Sequence, residues 1–360
     1  MRRIALVVCI ATTGWAVFAH PSSDDPLASD RVAGPLGEKL HGQLTRFAAD
    51  GFSGAVLVVR NGEVILLKGY GLANVDRGIP NGPATRFEMN SLTKMFTGAA
   101  VLQLEAAGRL RGGDPLARHL GEMPAGKESV TIEQLASHIS GIVVAGTVLA
   151  GESRDLFVRD IKQTPREAPP GTSYRYTNAG YSLLAAVIER VTGGTYEDYL
   201  RKKIFEPAGM RTAVFRDEVP AGDPRFAQGY VGTASGVQPG NPNPYVWGTR
   251  GAGGVWSTVG DIYRWVVAVE NGPVLDAARR AILFAPPKPP SQEAYGWHVD
   301  RTPDGRPWIH KGGGSSEFAS QLLHYPADRV TIVWACNNLK QRWRQTLNRT
   351  LPELALGASR

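Results

Sequence analysis

The hydrophobic positions of this chain change their period as it proceeds. Leu36, Leu40, Leu44 and Phe47 recur at three- and four-residue intervals and predict a helix over residues 36–48. "AVLVVRNGEVILLKGYG" follows, two apolar runs around Asn61-Gly62. Both central residues tolerate positive φ, so the stretch predicts a β-hairpin. From about residue 88 to 214 the pattern is mainly helical, as in "MFTGAAVLQLEAAG", "TIEQLASHIS", "AGYSLLAAVIERVTG" and "TYEDYLRKKIFEPAG". Several of these end near a glycine, as helix stops require. Beyond about residue 225 strand-like text returns. "WIHKGGG", "SQLLHYP" and "VTIVWACNN" predict short strands, and Leu339, Trp343, Leu347 and Leu351, spaced by four, predict a final helix.

Together these elements predict an α/β (α+β) fold. The early hairpin and the late strands share one antiparallel sheet, terminal helices flank it, and an all-helical domain is inserted between its halves. The expected boundaries are residues 35–87 and 225–352 for the discontinuous sheet domain and 88–224 for the helical insertion. The Pro-rich "FAPPKPPS" (284–291) reads as a surface loop, and no internal repeat or low-complexity tract interrupts the pattern.

The first residues, "MRRIALVVCIATTGWAVFAH", carry the features of a secretory signal: Arg2 and Arg3, an apolar stretch from Ile4 to Ala11, and the exit Val17-Phe18-Ala19. Cleavage is expected after Ala19, which makes the mature protein secreted or periplasmic with no stable membrane span; a retained anchor is the alternative. Cleavage removes two of the arginines behind the formal charge of +7, and it removes Cys9, leaving Cys336 as the remaining cysteine. A lone cysteine forms no internal disulfide, so packing must supply the stability. Ile332, Trp334 and Cys336 alternate onto one strand face, which predicts a buried, inert thiol. The positive charge is scattered as single arginines with no basic run interleaved with aromatics, which gives nucleic-acid binding little support.

Gly-x-Ser-x-Gly and His-Glu-x-x-His motifs and a Gly-x-x-x-x-Gly-Lys-Ser/Thr phosphate loop are absent from the sequence, and no His/Cys cluster suggests a metal, so neither metal nor cofactor is expected. "EMNSLTKMFTGAAVLQLEAAGRL" instead sets Ser91 and Lys94 three positions apart where a helix begins. Taken alone, Ser91 could be a helix cap and Lys94 a surface charge. As chemistry, a lysine on the serine's face can act on its hydroxyl. For the amine to be neutral at pH 7 its pKa must fall by about 3 units, about 4 kcal/mol. Otherwise Lys94 stays charged and stabilises a nearby tyrosinate. The motif therefore calls for a tyrosine, and "PPGTSYRYTNAGYSLL" supplies Tyr176-Thr177-Asn178 on a turn before a helix. In "WIHKGGGSSEF", His310-Lys311-Gly312-Gly313 lies on a strand whose glycines would let its backbone approach a substrate. The N–H groups of Ser91 and Gly313 would then form an oxyanion hole.

With the flanking text of "FEMNSLTKMFTGAAVLQLEAAGRL", "TIEQLASHISGI", "PGTSYRYTNAGYSLLAAVIERVTG" and "GAGGVWSTVGDIYRW", residues 35–350 resemble the class C β-lactamase and penicillin-binding-protein-like serine hydrolases, including their esterase and D-aminopeptidase members. The resemblance implies an α/β sandwich plus a helical domain, with the site in the cleft between them. It makes Ser91 the acylated nucleophile and Lys94 with Tyr176 a coupled proton-transfer pair. Asn178 would hold Lys94 and the substrate, His310 would line the site, and Lys311 and Gly312 would meet the substrate. The deacylating water would be activated from the Tyr176 side.

Two departures bear on substrate. The family's strand motif reads Lys or His, then a hydroxyl residue, then Gly; with His310 taken first, the hydroxyl position holds Lys311. After "HISG", Ile142-Val143-Val144-Ala145 offers an apolar wall without a side-chain amide. Both favour an ester or an apolar acyl donor over a β-lactam. The function expected overall is hydrolysis of esters or amides, of carboxylesterase or D-amino-acid peptidase type, with a β-lactamase and a non-turnover penicillin-recognising sensor or scaffold as the alternatives. Lys311 reads as a solvated edge charge, with carboxylate anchoring as its other role. His138 reads as structural, and Trp247, Trp256 and Trp297 as acyl-pocket walls or core aromatics.

Overall fold

The computed structural model describes residues 25–144, 152–233, 236–240, 244–285, 288–302, 304–338 and 340–357. The expected signal segment, Ala145 and Leu339 lie outside the described residues.

Seven strands form one antiparallel sheet: β1 (Arg31–Val32), β2 (Gly54–Arg60), β3 (Glu63–Tyr70), β4 (His298–Arg301), β5 (Pro307–Gly314), β6 (Ala319–Tyr325) and β7 (Val330–Cys336). Their order is β1-β3-β2-β7-β6-β5-β4. The early hairpin and the late strands therefore meet at the β2–β7 pair, where Gly54↔Cys336 and Arg60↔Val330 mark the ends of the register. The β2–β3 turn is Asn61-Gly62, with φ of 55° and 81°, as the turn chemistry requires.

Alternation along the strands divides the sheet's two faces. Val56, Val58, Leu66, Ile332, Trp334 and Cys336 face one way, into a core closed by Leu40 and Leu44 of helix α1 (Gly34–Ala49) and by Trp343, Leu347, Leu351 and Ala355 of the C-terminal helix α5 (Lys340–Leu356). Cys336 is fully buried, and burial pushes its thiol up to about 12, so it is inert at neutral pH. Leu57, Val59, Leu67, Leu322 and Val333 face the other way, into a core continuous with helices α2 (Thr93–Ala106), α3 (Asn178–Thr192) and α4 (Val259–Asn271). Helix α2 is buried almost all round, so its apolar residues fall on every face rather than on one stripe.

A small sheet aims α2. Phe87–Glu88 pairs with Val255–Ser257, which pairs with Val214–Phe215, and Met89 N–H donates to the Val255 carbonyl at 2.8 Å. The chain is thereby fixed over residues 87–89, ending two positions before Ser91.

Candidate active site

Ser91 sits in a 3₁₀ turn, Asn90–Leu92, that runs directly into α2. Asn90 takes φ of 51°, a left-handed conformation that asparagine tolerates better than most residues. Leu92 N–H donates back to the Met89 carbonyl at 3.2 Å, whereas Ser91 N–H, one residue earlier, is a donor in none of the described backbone bonds and is available to an anion. Strand β5 crosses close by: a Cβ on Gly313 would lie 2.2 Å from the Met89 carbonyl oxygen, so only glycine fits there. Ser320 Oγ, from β6, donates to that same carbonyl at 2.8 Å.

Lys94 lies one turn after Ser91 and is fully buried. Its Nζ donates to Ser91 Oγ (3.1 Å), Asn178 Oδ1 (2.8 Å) and the Ala252 carbonyl (2.9 Å), all formally neutral oxygens. Burial lowers its pKa, and the neighbouring charge of Lys311 lowers it further. Tyr176 OH donates to Ser91 Oγ at 2.8 Å, so the serine hydroxyl bridges the amine and the phenol. Burial pulls the Tyr176 phenol upward, but the cations at Lys94 and Lys311 outweigh it and hold its pKa below the ordinary phenol value. Both groups thus release a proton more readily than they would in water. Tyr176 is placed by the start of α3, where the Thr177 hydroxyl caps the helix by accepting from Ala179 N–H. Asn178 begins that helix, directed at Lys94.

His138 supports Tyr176 from beneath. Its ring lies 4.4 Å from the Tyr176 ring, and Nδ1 accepts the Thr177 N–H at 3.2 Å. Nε2 then carries the proton and donates to Glu293 Oε1 at 2.6 Å. Burial lowers this histidine to about 4, so it is neutral at physiological pH.

Glu293 is the residue that the sequence reading missed. Fully buried, it accepts from Lys311 at 2.8 and 2.7 Å and from His138, and His298 Nε2 lies 2.5 Å from its second oxygen. Burial works against its charge, but Lys311 and the two histidines hold its pKa well below the carboxylate range. Lys311 is therefore not the solvated edge charge expected from its place on the strand. It is 1% exposed, and its Nζ lies 5.3 Å from the centre of the Tyr176 ring. The alternation buried at Ile309, Lys311 and Gly313 turns the lysine inward. The strand motif facing Ser91 accordingly reads Lys311-Gly312-Gly313, with glycine where the family carries a hydroxyl.

One further expectation is corrected. Ser315 N–H donates to the Phe318 carbonyl. Because bonded pairs alternate in an antiparallel ladder, Gly313↔Ser320 is then a bonded pair, and the Gly313 N–H points into the sheet. The Gly314 N–H faces the open edge instead, and Gly314 lines both cavities that border Ser91. His310 lines the site, as the resemblance implied. It pairs with Asp300 at 2.7 Å and stacks between His298 and Trp308, with centroids 4.8 and 4.3 Å away. Burial lowers its pKa, and no described hydrogen bond joins it to Ser91, Lys94 or Tyr176. It lines the cavity wall, as does Gly312.

The larger cavity, about 680 Å³, holds Ser91, Tyr176 and Lys311 on one side of the β5 edge and Arg344 on the other. The Arg344 guanidinium reaches the Gly313 carbonyl past Gly312, where a Cβ would stand 2.9 Å from it. A smaller cavity of about 170 Å³ holds Ser91, Asn178, Tyr245 and the paired Glu88 and Arg216. Trp247, Trp256 and Trp297 line neither; they pack on Phe157, on Phe226 and Phe318, and on Trp265 and Phe284. Ile142 is buried and Val144 packs on the core, so neither forms the expected wall. Among the described residues no helix is long and apolar enough to cross a membrane, and no group of three or more His, Cys, Asp or Glu is arranged to hold a metal ion.

Known proteins resemble this chain in sequence and in fold. The putative penicillin-binding protein PbpX of Bacillus subtilis is 33% identical over 66% of this chain and 59% of its own length. A D-aminopeptidase of Gluconobacter oxydans is 30% identical over 86% of this chain and 60% of its own. The chain thus spans about three fifths of the length of these two relatives. In fold, FmtA from Staphylococcus aureus superposes with a TM-score of 0.79 at 23% identity, covering 91% of each chain. A β-lactamase/D-alanine carboxypeptidase from Pseudomonas syringae superposes with a TM-score of 0.76 at 20% identity, covering 91% of this chain and 100% of that one. A sequence model of the Beta-lactamase family matches residues 44–356, from within α1 to the end of α5, and the chain belongs to that family.

Proposed function

We propose that this chain is a serine hydrolase acting on esters or amides through an acyl-enzyme on Ser91. One observation carries the reading: Ser91 Oγ is hydrogen-bonded to both Lys94 Nζ and Tyr176 OH at the junction of two cavities.

Ser91 Oγ attacks the acyl carbon while its proton passes to the Lys94–Tyr176 pair, whose titration is shared. The developing oxyanion is met by the N–H groups of Ser91 and Gly314. As the carbon–heteroatom bond breaks, Tyr176 returns the proton to the leaving alcohol or amine. Water entering from the same side then reverses the sequence and frees the acid. Asn178 and the Ala252 carbonyl fix the amine throughout. Tyr176 lines the larger cavity and not the smaller one, so the leaving group departs through the larger and the acyl group occupies the smaller.

The absence of a hydroxyl at Gly312, and the neutralisation of Lys311 by Glu293, weigh against a lactam carboxylate as the preferred ligand and toward esters and amides. The test is acid release from p-nitrophenyl acetate and from D-alanyl p-nitroanilide, with intact-mass analysis of the protein. Release beyond one equivalent by wild type, absent in Ser91→Ala, is the expected result. Undiminished turnover by Ser91→Ala would sink the assignment. A stable adduct with one equivalent released would mark a sensor instead of an enzyme.

A further inference from the structure

We propose that the leaving-group side of the cleft continues past the catalytic centre into a second hollow, which takes the far, anionic end of an elongated substrate. This rests on the reading that Ser91 is acylated.

Even-numbered residues of β5 share a face, so Trp308, His310 and Gly312 form a row beneath helix α5. Opposite them, α5 presents Arg344, Asn348 and Pro352 one turn apart, flanking the stripe that docks on the sheet. The space between row and helix is a groove. Its near end is the 680 Å³ cavity containing Ser91, and its far end is a cavity of about 330 Å³. Trp308 and Asn348 line both, so the two are contiguous. From Gly312 to Trp308 the strand advances about 13 Å, the span of about four extended residues. The helix advances about 12 Å from Arg344 to Pro352. Trp308 is a fixed wall, stacked between His310 at 4.3 Å and Tyr325 at 5.5 Å with interplanar angles of 17° and 7°.

The chemistry of the far hollow selects its occupant. Arg301, Arg306 and Arg349 line it, against Glu353 as the sole carboxylate among its described lining residues. Arg306 is already paired with Asp304 and Asp328. Arg301 donates to the Gly305 carbonyl, and neither it nor Arg349 has a carboxylate in ion-pair range among the described residues. Two guanidiniums without a carboxylate partner among the described residues, at the end of a groove, fit a terminal carboxylate. Because the groove opens from the Tyr176 side, the substrate class is an ester or amide whose leaving alcohol or amine is a linear chain ending in a carboxylate, as in a short peptide.

The experiment compares acetate release from three acetyl esters: that of 12-hydroxydodecanoic acid, that of its primary amide, and ethyl acetate. Wild type, Arg349→Glu and Arg301→Glu are measured on each. Wild type should favour the carboxylate over the equally long amide by about tenfold in kcat/KM. Each charge reversal should remove that preference while ethyl acetate is cleaved at the wild-type rate. Equal rates on the two long esters in wild type, or a preference that survives both reversals, would overturn the proposal. No release from any of the three by wild type would overturn the acyl-enzyme reading instead, and this one with it.

Discussion

Two buried lysines flank one tyrosine ring, and their surroundings differ in one respect. Lys94 Nζ stands 4.9 Å from the centre of the Tyr176 ring and Lys311 Nζ 5.3 Å from it. Lys94 is held by a hydroxyl, an amide and a backbone carbonyl, none of them charged. Lys311 is held by both oxygens of a fully buried carboxylate. A cation bound only by neutral dipoles loses its proton readily, whereas one paired with a carboxylate is a fixture of the fold. Sequence neighbours do not separate the two roles; the nearest acid does. The nucleophile region is thus poised to exchange a proton, and the Glu293 region supplies a fixed charge behind it.

The largest effect should come from breaking the first region. Lys94→Ala removes the group that tunes both Ser91 and Tyr176 and should lower the acylation rate by about 10³- to 10⁴-fold, read by stopped-flow burst kinetics. Lys311→Ala should cost far less in the acylation step, and equal losses in the two variants would erase the distinction. The second region should break as structure. Glu293→Gln leaves a buried ammonium without its counter-ion and should destabilise the fold by about 3–5 kcal/mol in urea denaturation. Adding Lys311→Met should restore much of that, because the thioether fills the lysine's volume without a charge that needs a counter-ion.

Smaller effects concern pH. The negative charge of Glu293 raises the pKa of both Lys94 and Tyr176. In Glu293→Gln the basic-group limb of the pH–kcat/KM profile should therefore move to lower pH; movement upward would contradict the electrostatic link. His138 is lowered from its ordinary 6.5 to about 4 in the folded protein. A depressed group adds stability above its unfolded pKa and loses it as pH falls through the folded value. Stability should therefore decline between about pH 6.5 and 4, by about 3 kcal/mol from this residue. Glu293, depressed from 4.5, adds a further loss below that pH. His138→Gln should flatten the decline above pH 4 in urea midpoints measured across that range.

Much of this was legible in the sequence where the interaction is local. Ser91 and Lys94 share one helical turn, Tyr176 and Asn178 flank one cap, and Asn61-Gly62 specifies its own hairpin. What escaped depends on tertiary pairing. Glu293 lies in "SQEAYGW", a stretch with no motif, and its role exists only where β5 brings Lys311 against it. Lys311 itself carried a readable signal, because Ile309 marks the odd positions of the strand as inward. The prior for lysines at sheet edges pointed the other way. The edge-facing N–H expected at Gly313 is that of Gly314, because strand parity, which sets where each N–H points, depends on which neighbour completes the ladder.

The central claim is that Lys94 is the lysine that shares its proton with the nucleophile. The direct test is the pH titration of its ¹³Cε resonance in lysine-labelled protein, assigned by its loss in Lys94→Met. The account predicts a midpoint below the ordinary lysine value of 10.5, accompanied by a response of the Tyr176 ring carbons at the same pH. A midpoint at or above 10.5, with Tyr176 silent, would contradict it.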